Sequence, residues 1–148
     1  VRNPDAVSGG LADVLSDTYA LILKPHACHW NVEGPLFFSV HTLTEEQYTD
    51  MFDAADDLAE RIRALGRLAP MHIPTIIETS VVNDFPPSPS AGQMCSALAE
   101  DHQRIAKRLH ALIVVAEEEN DAVTADLATA RSAFHEKAAW MLRALAAD

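Results

Sequence analysis

Four long amphipathic stretches, separated by chain-breaking residues, restrict this sequence to an all-α fold. Apolar residues recur every three or four positions in each stretch, which is the period of a helix with one buried face. The four stretches are residues 8–32, 36–65, 90–119 and 123–146. Gly34 and Pro35 break the chain after the first stretch, and Asn120 and Asp121 separate the third from the fourth. Scarce glycine (5 of 148 residues) and few aromatics (6%) also favour helix over sheet.

A proline-rich connection joins the second and third predicted helices. Residues 67–90 contain five prolines, and we expect a short helix near residues 75–79. Connections this long are uncommon in compact domains unless they cross the molecule or have a function. The sequence therefore predicts one domain, residues 1–148, that is a four-helix bundle with a long crossover between helices two and three. Pro25 should kink the first helix, and Gly66 should cap the second.

Charge and composition argue against several classes of partner. Eleven Lys and Arg against 22 Asp and Glu give a net charge of −11. We expect no DNA binding at physiological salt, because phosphate neutralisation supplies most non-specific affinity; a basic segment ahead of Val1 would restore it and place the protein at the nucleoid. No unbroken apolar run approaches the roughly 18 residues of a membrane span, so no membrane partner is expected. Two cysteines, Cys28 and Cys95, form no disulfide framework, which fits a reducing, cytoplasmic location.

The first two predicted helices carry five side chains of the types that bind metal ions. Histidine with carboxylates and without cysteine suits iron, manganese or zinc. These residues are His29, His41, Glu45, Asp56 and Glu60. His41 and Glu45 are four positions apart and share a helix face, as do Asp56 and Glu60. Each residue alone fits an ordinary solvated helix surface, so the metal prediction depends on the set.

The spacing between the two pairs shows that one chain cannot hold one metal with both. The eleven residues from Glu45 to Asp56 turn a helix about 20° beyond three turns and raise it about 16 Å. Both pairs point the same way, yet an ion about 2 Å from each donor cannot reach both. Either the chain has two separate half-sites, or a second chain completes one site. In an antiparallel two-fold pairing, each copy's His41 and Glu45 would face the other copy's Asp56 and Glu60, giving two equivalent sites per dimer.

A specific motif surrounds the first of these histidines. The run His-Trp-Asn-Val-Glu-Gly-Pro occupies residues 29–35, and His41 follows His29 by twelve positions. With the runs at residues 45–48, 56–66 and 135–143, the sequence resembles the Dps family, the DNA-protection-during-starvation branch of the ferritin-like proteins. The resemblance extends over all four predicted helices.

The resemblance implies a ferroxidase and iron store built as a hollow dodecamer of ferritin-like four-helix bundles. In this family a site lies at each two-fold interface, with ligands that correspond to His29, His41 and Glu45 from one subunit and Asp56 and Glu60 from its mate. Two irons per site are expected. Fe(II) would be oxidised in pairs to Fe(III), with hydrogen peroxide used more readily than dioxygen. The ferric mineral would be stored inside the shell, protecting the cell from oxidative damage.

The resemblance also suggests roles for residues outside the ligand set. Trp30 would lie near the iron site and quench stray oxidising equivalents, or simply fill the subunit interface. Asp121 and Asp126 would line an iron-entry pore whose acidic charge concentrates Fe(II), although Asp121 is equally placed to cap a helix. One departure is Glu45, because the family often has aspartate there; glutamate keeps the charge and adds a methylene.

Three other functions compete with this prediction. A ferritin with its di-iron site inside the bundle needs a Glu-x-x-His pair, and the chain has none. A shell that compacts DNA needs a basic tail, but residues 1–7 contain one basic side chain. A structural zinc site at the same donors is chemically allowed; the carboxylate majority favours a labile, redox-active ion.

Overall fold

The computed structural model describes residues 1–147, which form five helices and the segments that connect them. The helices are α1 (Pro4–Asn31), α2 (Phe37–Ala64), α3 (Ile73–Thr79), α4 (Ala91–Glu118) and α5 (Ala122–Ala146). No strand occurs among these residues, so the predicted all-α fold is confirmed. The largest boundary difference is at α1, which was predicted from residue 8 and begins at Pro4.

The bundle consists of two helical hairpins. α1 packs along α2, and α4 packs along α5; α1 then contacts α4, and α2 contacts α5. The short helix α3 lies in the predicted crossover and packs against α1. Buried apolar side chains from all four long helices form a continuous cluster through the bundle.

Local sequence signals set several helix ends. Asn3 begins α1 because its side chain accepts hydrogen bonds from two main-chain N–H groups of the first turn. Ser90 and Gln93 begin α4 with reciprocal bonds between side chain and main chain. Gly66, at φ +84°, ends α2: its N–H donates to Arg63 O, and the next N–H donates to Ile62 O. The predicted glycine cap is therefore confirmed.

α1 is a core helix with an apolar composition. It continues through Pro25 without interruption. Of the described helices, it is the one long and apolar enough to cross a membrane by length and composition alone. The sequence prediction considered unbroken apolar runs and missed this. Half of the apolar window is buried inside the bundle, and the two buried charged residues of α1, Asp17 and Lys24, pair with α4 at 3.6 and 2.6 Å.

The buried face of α5 differs from the predicted apolar stripe. The prediction was Leu127, Phe134, Ala138, Met141 and Leu145. Of these, only Ala138 is buried; the others are partly buried. The centre of the face consists of small and polar side chains. They are Thr124, Ala128, Arg131, Ser132, His135, Ala138, Ala139 and Leu142. The side of α5 that packs on α4 and α2 therefore has small and polar side chains at its centre, and the larger apolar side chains lie along its edges.

Buried ion pairs fasten the crossover to the bundle. Lys24 of α1 and Asp101 of α4 pair at 2.6 Å, and both hold Asn83: Lys24 Nζ donates to its carbonyl, and its N–H donates to Asp101 Oδ1. Arg104 Nε donates to the carbonyl of Val81 and pairs with Asp101 at 2.5 Å. These contacts fix the segment after α3 over the seam between α1 and α4.

Two adjacent glycines in α1 give a matched stability test. A Cβ at Gly9 would meet no atom within 4 Å, whereas a Cβ at Gly10 would lie 2.7 Å from Leu112 Cδ1. We expect Gly9→Ala to raise the free energy of unfolding by about 0.5–1 kcal/mol, because alanine loses less backbone entropy in a helix. For Gly10→Ala, the buried Leu112 must move, which offsets that gain. Urea unfolding measures both; equal gains would show that Leu112 shifts freely.

Candidate metal centre

The turn between α1 and α2 brings His29 and His41 into contact. His29 lies in the last turn of α1 and His41 in the second turn of α2, and Gly34 reverses the chain between them at φ +94°. Their imidazole rings stack with centroids 3.6 Å apart and planes 13° apart. Two of the five predicted ligands are therefore adjacent, although twelve residues separate them in sequence.

Each of these histidines is oriented by the other's backbone. His29 Nδ1 donates to His41 O, and His41 Nδ1 donates to His29 O, both at 2.7 Å. A carbonyl can only accept, so the hydrogen lies on Nδ1 in both rings. The neutral rings consequently keep a free lone pair on Nε2. This second hydrogen bond on a ligating histidine is the usual device for fixing its tautomer and direction toward a metal ion.

Aromatic side chains hold the stacked pair from both sides. The Phe37 ring stacks on His41 with centroids 4.9 Å apart. The Tyr48 ring meets His29 edge-on at 5.5 Å and 86°. Burial and the neighbouring Glu45 carboxylate both raise the pKa of the Tyr48 phenol, so it stays neutral. The rings therefore have little rotational freedom before any ligand arrives.

The three carboxylates lie on the exposed side of α2. Glu45 follows His41 by one turn, and Asp56 and Glu60 lie one turn apart further along the helix. A hydrogen bond and charge from Asp56 raise the pKa of Glu60, as expected for two carboxyls one helical turn apart. α2 is continuous from Phe37 to Ala64, so the rise of about 16 Å between Glu45 and Asp56 is retained.

The two halves stay apart within one chain. In residues 1–147, no three His, Cys, Asp or Glu side chains come close enough together to hold a metal ion. The structure thus brings His29 next to His41, and Asp56 next to Glu60, while Glu45 stands one turn from His41 with an exposed carboxylate. The chain presents a histidine half-site and a carboxylate half-site on one surface.

Trp30 lies beside the histidine half-site and faces outward. Its side chain is 58% exposed, and its ring packs on His26 with centroids 4.0 Å apart. His26 in turn contacts Tyr48 at 4.5 Å. The exposed face continues along α1 and α2 with large apolar side chains, including Tyr19, Leu23 and Phe52. An apolar surface of this kind around a half-site is typical of a protein interface.

The structure corrects the predicted role of Asp121 and leaves Asp126 as a candidate. Asp121 is the N-cap of α5: Thr124 N–H donates to Oδ1 at 2.9 Å, and Arg61 pairs with Oδ1 at 2.7 Å. Burial would raise the pKa of this carboxyl, but the Thr124 hydrogen bonds and the Arg61 charge lower it overall. A side chain 2% exposed and bound in this way does not line a pore. Asp126 is exposed, and its pore role stays a prediction.

Comparison with known proteins decides the family. The ferritin-like domain family model matches residues 9–148. A DNA protection during starvation protein from Helicobacter pylori is 36% identical over 135 residues, which are 90% of this chain and 94% of that protein. The chain belongs to the Dps family of ferritin-like proteins. A second Dps relative, from Brevibacillus brevis, is 36% identical over 84% of this chain and 83% of its own length.

Solved Dps structures share the backbone arrangement described above. Dps from Staphylococcus aureus superposes with a TM-score of 0.94 at 30% identity, over 100% of this chain and 99% of that one. A Dps protein from Bacillus brevis superposes with a TM-score of 0.90 at 33% identity, over 95% of each chain. The resemblance drawn from the motif at residues 29–35 and the ferritin-like bundle are both confirmed.

Proposed function

We propose that this Dps-family chain is a ferroxidase and iron store. It oxidises Fe(II) at sites shared between two copies, preferably with hydrogen peroxide, and keeps the ferric product inside a hollow dodecamer. The observation that carries the proposal is the pair of half-sites on α2. One, which His29 of α1 completes, holds histidine Nε2 atoms oriented in advance; the other holds Asp56 and Glu60, and Asp56 lies about 16 Å along α2 from Glu45. A cytoplasmic location stays a prediction.

A two-fold pairing of α2 would join the half-sites. In an antiparallel pair, His41 and Glu45 of one copy lie opposite Asp56 and Glu60 of the other, and the reverse holds at the second site. The exposed apolar side chains around the half-sites support such a contact. The proposed site therefore has two imidazoles and three carboxylates, enough donors for two iron ions.

The donor set suits the proposed chemistry. Imidazole and carboxylate ligands with open positions bind Fe(II), and carboxylates stabilise the harder Fe(III) product. Two Fe(II) ions each give one electron to hydrogen peroxide, which takes up two protons and leaves as two water molecules. Holding the ions as a pair avoids one-electron reduction of peroxide, which would release hydroxyl radical. Trp30 would lie at the edge of this site, where it could give an electron to a stray oxidant, and Asp126 would attract Fe(II) toward the shell.

Iron oxidation by purified protein tests the proposal. Fe(II) is added without oxygen, hydrogen peroxide is then added, and ferric absorbance is followed. We expect rapid oxidation with a soluble product for the wild type. His41→Ala and Glu60→Gln should each slow it at least about tenfold, since even groups that only orient metal ligands contribute about 10- to 100-fold.

The matched control is His72→Ala, an exposed histidine in the crossover, which should oxidise iron at the wild-type rate. Circular dichroism of each variant checks that the helices are intact. A wild-type rate equal to that of buffer would show that the site is inert toward iron. Binding of zinc to the same side chains would then be measured next.

A further inference from the structure

Two buried histidines join α4 to α5 inside the bundle. His102 and His135 are fully buried, and their Nδ1 atoms are 2.8 Å apart. The ring of Phe134 meets both imidazoles edge-on, with centroids 6.0 Å from His102 and 5.0 Å from His135. The pair is a buried polar contact between the two helices, whose exposed edges are also joined by Arg143 with Gln103 and by His110 with Glu136.

The short contact fixes how the protons are placed. A neutral imidazole carries one N–H, so a hydrogen bond between two Nδ1 atoms needs one ring protonated at Nδ1 and the other at Nε2. The rings of His102 and His135 therefore have different tautomers. Both Nε2 atoms are buried without a hydrogen-bond partner within residues 1–147. Among these residues, the bond between the two Nδ1 atoms is therefore the single hydrogen bond of each imidazole.

A positive charge faces the pair from α5. Arg131 lies one turn before His135 and pairs with Asp50 of α2 at 2.7 Å through NH1. Its Nε and NH2 atoms are buried without a partner in the described chain. The Arg131 charge acts on both imidazoles and disfavours their protonated forms. A proton on the pair would therefore be placed beside an existing cation in the core.

The other polar groups near the pair are neutral or already paired. On the helices packed around it, Gln47 of α2 and Ser132 of α5 are buried and uncharged. α4 contributes Asp101, the residue before His102, whose carboxylate binds Lys24 of α1 and Arg104. The buried carboxylates of residues 1–147, Asp17, Asp101 and Asp121, each already face a Lys or Arg, so none is free to compensate a new positive charge.

We propose that His102 and His135 form an acid-operated latch between α4 and α5. With both rings neutral, their hydrogen bond holds the two helices together. The first proton converts one ring to an imidazolium, which can still donate a hydrogen bond to the other ring. This new cation lies close to the positive charge of Arg131, which disfavours it. A second proton would remove the acceptor and set two cations against each other, so the closed pair resists protonation, and acid favours the open α4–α5 hairpin, whose exposed rings bind protons freely.

The burial of the pair gives the sign of the pH effect. Burial, with a contribution from Arg131, lowers the pKa of His102 to about 3. Burial, with His102 and Arg131, lowers the pKa of His135 well below its usual value. In the unfolded chain both rings titrate near pH 6.5. Below that pH the unfolded state binds protons that the folded state does not, so the free energy of unfolding falls as the pH drops.

Urea unfolding between pH 6.5 and 4.5, at one protein concentration, measures this proton uptake. Each buried neutral histidine should raise the unfolding equilibrium constant by up to about tenfold per pH unit. In His102→Gln, the unfolding equilibrium constant should change less steeply with pH than in the wild type, by about one factor of ten per pH unit. In the double variant His102→Gln/His135→Gln, the difference should be about two such factors. Burial raises the pKa of Asp17 to about 6, which acts in the opposite direction equally in all variants and cancels in the comparison.

His72→Gln is the matched control, because this histidine is exposed, and it should keep the wild-type slope. Hydrogen exchange of the wild type should show α4 and α5 losing protection at pH 4.5 before α1 does. Equal slopes in wild type and double variant, or uniform loss of protection, would overturn the latch. If the variants fail to fold, nitrogen NMR of the wild-type rings decides: two different neutral tautomers down to pH 5 support the latch, and titration near pH 6.5 refutes it.

Discussion

Replacing Asp101 with alanine is expected to lower the free energy of unfolding by about 3–5 kcal/mol, because it leaves a buried cation without its partner. Asp101 is fully buried and binds Lys24 at 2.6 Å and Arg104 at 2.5 Å. It also accepts the N–H of Asn83. Without the carboxylate, the buried ammonium of Lys24 retains the Asn83 carbonyl at 2.6 Å and a cation–π contact with the Phe85 ring at 4.7 Å, neither of which carries a compensating charge. A loss of this size is a large part of the stability of an ordinary domain.

Lys24→Met should be milder than Asp101→Ala. In that variant Asp101 keeps Arg104 and the Asn83 N–H, and methionine fills the space of the lysine stem. Glu100→Ala is the matched control, since Glu100 is the exposed neighbour of Asp101 on α4, and it should change stability by less than about 0.5 kcal/mol. Urea unfolding measures all three. Equal losses for Asp101→Ala and Glu100→Ala would show that the buried ion pairs contribute nothing.

Local features of the fold were readable from the sequence. Helix periodicity, the Gly34-Pro35 break and the Gly66 cap depend on neighbouring residues, so α1, α2, α4 and α5 were predicted with nearly correct ends. Pairs four residues apart, such as Asp56 and Glu60, were predicted for the same reason. Their spacing along one helix is fixed by helix geometry, and the continuous α2 retains it.

Contacts between residues distant in sequence were not readable. Lys24 and Asp101 are 77 positions apart, and His102 and His135 are 33 apart. No local spacing marks such pairs, because helix packing alone decides which side chains meet. The α5 stripe was mispredicted for a related reason: polar residues occupy its centre where they find partners on α2 and α4. The contact between His29 and His41 depends on the path of the turn at Gly34, and the amino-acid sequence of the turn does not specify that path in detail.

A site shared between copies makes a strong prediction for mixed assemblies. His41→Ala removes one of the two imidazoles from the histidine half of every site, and Glu60→Gln weakens the carboxylate half, so each variant alone should have little ferroxidase activity. When the two variants are unfolded together, refolded and assembled in equal amounts, an intact site needs its histidines from a Glu60→Gln chain and its carboxylates from a His41→Ala chain. With random pairing, about a quarter of the sites are intact.

Ferroxidase activity of that mixed assembly is the most direct test of the shared site. Circular dichroism and size exclusion would first establish that the mixture folds and assembles like the wild type. Recovery of about a quarter of the wild-type rate, well above both parent variants, is the predicted result. If the mixture is no more active than the average of its two parents, both halves of the site belong to the same chain, and the proposed interface site is wrong.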